Sequence, residues 1–195
     1  PADYYQQTKY DAEPIVQNYF AKGLKTTILR PAAIYGPGDP GRFYLIFRQL
    51  ERGWFPMFGE GKVLYHPLYI DNFLDAFVLA MDEVRGVGEA YLIADEHYLT
   101  IEELVRAAAA AMGVTARLRR CPVWPIVAAG HVVEALCKPF GIEPPIHPRR
   151  VDWYRQTRAF RIDKARRDLG YQPRIALDEG LRRACQWYRD QGMLG

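Results

Sequence analysis

The sequence predicts an α/β fold, and three observations support this prediction. Residues 5–22 carry apolar side chains at helical spacing, and the β-branched run 25–29 follows them as a strand of a buried sheet. Residues 30–39 then form a loop dense in glycine and proline, and a strand that ends in such a loop is how an open α/β sheet presents a ligand crevice. Predicted strands lie mainly in the first half of the chain and predicted helices in the second half.

The helix predicted at 5–22 has an apolar face and a stop at Gly23. Pro14 lies inside this helix. Because proline lacks an N–H donor and clashes with the preceding turn, we expect a kink or a local irregularity there.

The middle of the chain alternates between helices and short strands. We predict a helix at 42–52, a turn-rich passage at 53–61 and one or two short strands within 63–70. An amphipathic helix follows at 71–84, with Asp71 as its N-cap.

The next elements have clear local boundaries. A strand is predicted at 89–95, and Thr100 with Glu103 forms a capping box that opens an alanine-rich helix. Gly113 ends that helix, and Leu118 is expected in a short strand.

Helices are predicted to dominate from Cys121 onward. A proline-rich connection occupies 139–148, a short helix at 163–169 ends at Gly170, and a terminal helix covers 177–191.

The composition is that of an ordinary soluble globular protein. The chain has 195 residues, 49% of them hydrophobic and 25% charged, which suffices for one core or one and a half. The net charge of +3 and the short basic clusters disfavour nucleic-acid binding. The three cysteines lie far apart without a CxxC motif, so we expect no disulfide framework, no metal site and a reducing, cytoplasmic location.

The most apolar stretch, from Pro122 to Cys137, is too short to cross a bilayer and contains His131 and Glu134. It predicts a buried or capping helix, with a surface that faces lipid or a partner as the alternative. The chain opens with Pro1-Ala-Asp and no apolar run, so no signal peptide is expected.

Tyr5 and Lys9 carry the clearest chemical signal in the sequence. They are four residues apart in a predicted helix, so the phenol and the ammonium share one face. A cation beside a phenol stabilises the phenolate, which gives a general acid/base for a substrate hydroxyl while a cofactor handles the hydride. The alternative is a tyrosine packed on the sheet beside a solvated lysine.

Five passages form a series along nearly the whole chain. The first is Tyr5-x-x-x-Lys9, and the second is the run Ile28-Leu-Arg-Pro-Ala-Ala-Ile-Tyr-Gly-Pro-Gly38. The third is the stretch 61–72, whose last four residues are Tyr69-Ile-Asp-Asn72, and the fourth is Ala90-Tyr-Leu-Ile-Ala94 followed by Leu99-Thr-Ile-Glu-Glu103. The fifth begins at Lys164-Ala, continues with Leu169-Gly-Tyr-x-Pro173 and ends with Leu177-x-Glu-Gly180. In this order they resemble the extended short-chain dehydrogenases/reductases, which include NAD-dependent epimerases and dehydratases of nucleotide sugars.

The resemblance implies the C-terminal part of a Rossmann-like parallel sheet with a smaller, mainly helical substrate-binding region. We place the NAD(P)-binding part, with interleaved substrate-region segments, at 1–113 and the helical region at 114–195. The Gly-rich segment that opens the family and cradles the pyrophosphate does not occur here, because Gly36-Pro-Gly38 follows the wrong strand. We therefore expect the chain to be the C-terminal part of a longer protein, without the family's catalytic serine or threonine.

The resemblance also implies roles for individual residues and a cofactor. Tyr5 matches the general acid/base, and Lys9 matches the lysine that contacts the nicotinamide ribose. Pro31, Ala32 and Ala33 match the loop along the nicotinamide carboxamide, with a plain strand-to-loop turn as the alternative. The implied cofactor is NAD or NADP.

Three residues are candidates for substrate binding. Arg42 follows the Gly/Pro loop, where its guanidinium would suit a phosphate or a carboxylate. His66 stands where many relatives carry arginine or aspartate, and Arg158 precedes the C-terminal signature. For Arg42 and Arg158 a solvated surface position is the alternative.

The predicted function is that of an NAD(P)-dependent epimerase, dehydratase or dehydrogenase that acts on a secondary alcohol, with a nucleotide sugar as its small-molecule substrate. The apolar character of 121–154 makes a lipophilic, sterol-like 3β-hydroxyl the alternative. A non-catalytic relative that only binds cofactor is a further alternative, which the presence of both Tyr5 and Lys9 disfavours. The resemblance implies a homodimer for the intact protein.

Overall fold

The computed structural model describes residues 4–39, 41–82, 84–125, 127–128, 133 and 152–195. The described residues form two compact units, each built from separate stretches of chain. The first unit comprises 4–34, 67–96 and 160–176, and the second comprises the described residues of 35–66, 97–159 and 177–195. The proline-rich connection predicted at 139–148 lies outside the described residues, and the domain boundary after Gly113 stays a prediction.

The helices and strands follow in chain order. They are α1 (Tyr4–Ala21), β1 (Ile28–Pro31), β2 (Ala33–Tyr35), α2 (Arg42–Glu51), β3 (Phe55–Phe58), β4 (Leu64–Tyr65), β5 (Pro67–Tyr69), α3 (Ile70–Ala80), β6 (Ala90–Ile93), β7 (Leu99–Thr100), α4 (Ile101–Met112), β8 (Leu118–Cys121), a 3-10 turn (Asp152–Tyr154), α5 (Asp163–Leu169) and α6 (Leu177–Asp190).

The first unit is organised around a parallel pair of strands. β1 pairs with β6 in a register that runs from Ile28 opposite Ala90 to Pro31 opposite Ile93. Helix α5 covers β6, and their contact forms an apolar core with one side of α3. The core residues are Leu68, Ala76, Tyr91, Ile93, Ala94, Ile162, Ala165, Leu169 and Tyr171. A parallel pair covered by helices is the α/β arrangement that the sequence predicts.

A buried polar network joins three stretches of this first unit. The backbone N–H of Tyr69 donates to both oxygens of the Asp95 carboxylate, at 3.0 and 3.1 Å. Nδ2 of Asn72 donates to Oδ1 of Asp95 at 2.7 Å and to the carbonyl of Ile175 at 2.9 Å. Oδ1 of Asn72 accepts the backbone N–H groups of Arg174 and Ile175, each at 2.9 Å. The amide therefore holds the segment after α5 against the start of α3 and the end of β6.

The second unit combines packed helices with two short strand pairs. β3 runs parallel to β8, from Phe55 opposite Leu118 to Phe58 opposite Cys121, and β4 runs antiparallel to β7. Helices α4 and α6 pack together with α2 through apolar faces. Their buried side chains include Phe43, Ile46, Phe47, Leu50, Leu104, Val105, Ala108, Leu181, Ala184 and Tyr188.

Elements with local boundary signals match their predictions. Helices α1, α2, α4, α5 and α6 begin and end within a few residues of the predicted positions. In α4 the Thr100 hydroxyl accepts the N–H of Glu103 at 3.2 Å, and the Glu103 carboxylate accepts the N–H of Thr100 at 2.7 Å, so the predicted capping box is confirmed. Gly113 ends the helix in the left-handed region, with φ of 76°.

Three predictions need correction. Residues 30–39 are not only a loop, because Arg30 and Pro31 belong to β1, where they pair with β6, and Ala33–Tyr35 form β2. Helix α3 begins at Ile70 with Tyr69 as its N-cap, so Asp71 lies in the first turn and is not the cap. The N–H of Tyr69 is held instead by Asp95, which is distant in sequence. Residues 53–61 are not only turns, because Phe55–Phe58 form β3 by pairing with β8.

Among the described residues, no helix combines the length and the apolar character that a membrane crossing requires. Cys121 and Cys185 are both free thiols.

The Asp95 network predicts a pH dependence of stability. Burial raises the pKa of Asp95 to about 6, while hydrogen bonds from Asn72 and Tyr69 act in the opposite direction. Since the folded state holds this proton to a higher pH than the unfolded state, the stabilising contribution of Asp95 is complete below about pH 4 and declines as the pH rises to about 6. Relative to Asp95→Asn, the wild type should lose up to about 3 kcal/mol of unfolding free energy across this window.

Urea unfolding of both proteins at several pH values between 4 and 7 checks this expectation. Two curves of unfolding free energy against pH that stay parallel would contradict it.

Candidate active site

Helix α1 presents Tyr5 and Lys9 one turn apart. Tyr5 is 70% exposed, and Nζ of Lys9 lies 5.5 Å from the centroid of the Tyr5 ring. None of the described residues of α1 is buried, so both side chains stand on an open helix surface. A cation over an exposed aromatic face contributes about 0.5–1 kcal/mol, which favours this side-by-side arrangement. The phenol and the ammonium can therefore act on the same bound molecule.

An ion pair ties this helix to the strand that follows it. Nε of Arg30 on β1 donates to Oε1 of Glu13 at 2.7 Å, and Nη2 of Arg30 donates to Oε2 of the same carboxylate. The hydrogen bond from Arg30 lowers the pKa of Glu13. Tyr5, Lys9 and Glu13 follow one another at four-residue steps along α1, so the pair holds the side of the helix that carries the candidate catalytic groups.

The carboxyl end of β1 carries the three residues predicted to contact the nicotinamide. Pro31 is exposed, and Ala32 and Ala33 are half-buried. The N–H of Ala32 donates to the carbonyl of Ile93 at 2.8 Å, and its methyl group packs against the core of the first unit. Arg30 immediately precedes this segment, so the same ion pair connects the strand end to the helix of Tyr5 and Lys9 within the first unit.

The second unit contains a pocket of about 620 Å³ beside α2. Arg42, Arg48 and Arg52 line it together with aromatic side chains, among them Trp153 and Tyr154. The guanidinium carbon of Arg42 lies 5.1 Å from the Trp153 ring and 5.8 Å from the Tyr65 ring. No aspartate or glutamate lines the pocket in the part of the chain that the structure describes. The lining is thus cationic and aromatic.

Two buried aromatic side chains lie near the Arg42 guanidinium. Tyr65 is 3% exposed, and burial raises its pKa, whereas the nearby charges of Arg42 and Arg158 and a hydrogen bond from Arg42 act in the opposite direction. Trp153 is 6% exposed, and its indole N–H has no hydrogen-bond partner among the described residues. Leaving such a buried donor unsatisfied costs about 1–3 kcal/mol.

The other two candidate substrate residues do not line this pocket. His66 is 2% exposed, and its ring packs edge-on against Tyr98 with centroids 5.8 Å apart. The backbone N–H of Arg158 donates to the carbonyl of Leu64 at 2.9 Å, while its Nη2 donates to Gln156 at 3.4 Å. Of the three, Arg42 is the one that lines this pocket, whose volume suits a small ligand.

Sequence reasoning missed part of this pocket. Trp153 is buried and also lines the cavity, where its ring lies 5.1 Å from the guanidinium carbon of Arg42. Arg42 and Trp153 are far apart in sequence, so no spacing rule could have paired them. The available sequence signal for this wall of the pocket was a tryptophan beside a tyrosine, at 153 and 154, after a proline-rich segment.

Known proteins resemble this chain in sequence. The pattern of the NAD dependent epimerase/dehydratase family matches residues 1–94. The sterol-4-alpha-carboxylate 3-dehydrogenase ERG26, decarboxylating, of Saccharomyces cerevisiae is 32% identical over 212 residues, which cover 99% of this chain and 58% of that protein. The 3-beta-hydroxysteroid dehydrogenase of Mycolicibacterium neoaurum is 29% identical over 202 residues, which cover 96% and 53%.

The fold is also similar to solved structures. UDP-glucuronic acid 4-epimerase from Bacillus cereus, crystallised in complex with NAD, matches with a TM-score of 0.71 and 22% identity over 98% of this chain and 54% of that chain. At this identity the likeness supports the fold alone. The chain spans about half the length of the curated relatives it matches.

The Glu13–Arg30 pair predicts a local effect on α1. Because no described residue of α1 is buried, Glu13→Gln should speed amide hydrogen exchange within 4–21 about two- to fivefold, the range expected for losing an exposed ion pair. Arg106→Gln is the control, since it removes an exposed pair with Glu102 from α4, which has a buried face. Exchange monitored by mass spectrometry checks both variants. Unchanged exchange in α1 would mean that other contacts hold this helix.

Proposed function

Because the chain belongs to the extended short-chain dehydrogenase/reductase family, of the epimerase/dehydratase type, we propose that it takes part in NAD(P)-dependent hydride transfer at a secondary alcohol. The observation that carries this proposal is the exposed pair of Tyr5 and Lys9, one turn apart on a helix that Glu13 ties to β1. A phenol beside an ammonium is a combination that can transfer a proton at an alcohol oxygen.

Tyr5 is the proton-transferring group in this proposal. Its hydroxyl oxygen, as phenolate, accepts the proton of the substrate hydroxyl while the carbinol carbon loses its hydride. In the reverse direction the phenol returns that proton to the carbonyl oxygen. Lys9 places a positive charge one turn from this phenol and offers N–H donors to a bound ribose.

The first unit has groups that fit a nicotinamide cofactor. Lys9 would hold the ribose, and the methyl side chains of Ala32 and Ala33 leave room beside a flat ring at the end of β1. The N–H of Ala32 is engaged by Ile93, so this residue offers no backbone donor to the ring. When bound, NAD or NADP supplies the hydride acceptor or donor.

Two substrate classes fit this chemistry. A lipophilic, sterol-like alcohol is the first to test, since the relatives that are 32% and 29% identical are named as sterol and steroid dehydrogenases. The aromatic lining of the pocket in the second unit supports the same class. A nucleotide sugar is the second candidate, favoured by the arginines that line that pocket.

Replacing the phenol tests the proposal directly. Tyr5→Phe keeps the ring over Lys9 but removes the hydroxyl, so turnover should fall about 10²- to 10⁴-fold. Tyr4→Phe is the matched control, because Tyr4 is also exposed on α1 but has threonine, not lysine, four residues on. This variant should keep wild-type activity.

The assay is reduction of NAD or NADP followed by absorbance, with sterol-like alcohols and nucleotide sugars as substrates and product analysis for epimerised or dehydrated sugars. Equal activity of Tyr5→Phe and wild type on every active substrate would refute the role of Tyr5.

A further inference from the structure

The geometry points to a binding site for an oxyanion on a flat, largely apolar body in the pocket beside α2, with Arg42 and the indole N–H of Trp153 as its donors. Only the identification of this ligand with the substrate rests on the proposed function. The pocket and the chemistry of its ligand follow from the second unit alone.

The charge of the lining selects an anion. Arg42, Arg48 and Arg52 all lie on or directly after α2, and no acidic residue among those described lines the pocket with them. Arg42 is half-buried, and its guanidinium carbon lies near two aromatic rings, 5.1 Å from that of Trp153 and 5.8 Å from that of Tyr65. A guanidinium presents its N–H groups in a fork that matches carboxylate or phosphate oxygens.

The unsatisfied indole points to the same ligand group. Trp153 is more than nine-tenths buried, lines the pocket, and its N–H lacks an acceptor in the part of the chain that the structure describes. Its ring lies 5.1 Å from the Arg42 guanidinium. An oxyanion bound between these two groups would accept from both side chains and would satisfy the buried donor.

The rest of the lining suits an apolar, flat body. Phe55, Pro56 and Tyr154 line the same pocket, and burial raises the pKa of Tyr154, which keeps this phenol neutral. The volume of about 620 Å³ lies in the range of pockets that hold small molecules. A carboxylated sterol-like alcohol and a nucleoside diphosphate both combine an oxyanion with flat rings, and binding measurements separate these two sources.

Calorimetric titration of the protein with three probes tests the site. The probes are UDP, 3β-hydroxy-5-cholenoate and the uncharged methyl ester of that steroid acid. We expect one of the two anions to bind. If it is cholenoate, the methyl ester should bind at least tenfold more weakly, and the site serves a carboxylated lipophilic alcohol. If it is UDP, the site serves a nucleotide.

Matched variants assign the two donors. Arg42→Gln should weaken binding of the anion at least tenfold, and Trp153→Phe, which removes only the indole N–H and one ring, about three- to tenfold. Arg119→Gln and Trp54→Phe are the controls, since the Arg119 guanidinium also lies 5.1 Å from a tryptophan ring, that of Trp54, yet neither residue lines the pocket. Both controls should bind within twofold of wild type. Thermal unfolding by circular dichroism confirms that each variant is folded.

Three results would overturn the site: binding of neither anion, equal binding of cholenoate and its ester without binding of UDP, or wild-type affinity in folded Arg42→Gln. The Tyr5→Phe variant distinguishes a failure of the proposed binding site from a failure of the catalytic proposal. It should lose turnover and keep probe affinity, so a pocket that fails leaves the role of Tyr5 standing, and the reverse also holds.

Discussion

The first unit depends on one buried amide and one buried carboxylate. Asn72 satisfies both sides of its amide by binding Asp95 and the backbone of 174–175, and Asp95 in turn holds the N–H of Tyr69. Three stretches that are distant in sequence meet at this point. Since buried polar groups are costly unless every partner is present, the network specifies one arrangement of these stretches.

The candidate catalytic helix is connected to that network in steps. Asp95 follows β6, β6 pairs with β1, and Arg30 on β1 holds Glu13 of α1. Tyr5 and Lys9 lie two turns and one turn before Glu13 on the same helix. The helix buries none of its described residues, and the Glu13–Arg30 pair is one of the contacts that hold it to β1. Such an arrangement leaves the phenol and the ammonium open to a bound molecule.

Local signals in the sequence predicted the elements correctly wherever residues within or next to an element determine where it begins and ends. The Thr100–Glu103 box and Gly113 define α4, and the four-residue spacing of Tyr5 and Lys9 is enough to place them side by side. The predictions failed where a residue or strand distant in sequence determines the local structure. Helix α3 starts where Asp95 holds Tyr69, and β3 exists because β8 pairs with it. The wall of the pocket was missed for the same reason, because Trp153 meets Arg42 only in the folded chain.

In the proposed reaction Tyr5 moves the proton while the substrate carbon exchanges hydride with the cofactor. The decisive measurement is kcat/KM of wild type and Tyr5→Phe with the same alcohol and the same cofactor, in H₂O and in D₂O. The wild-type value should be lower in D₂O, because the Tyr5 oxygen accepts the substrate's hydroxyl proton as the hydride leaves, and the small residual value of Tyr5→Phe should lack this difference. The same ratio between the two solvents in both proteins would show that another group carries the proton.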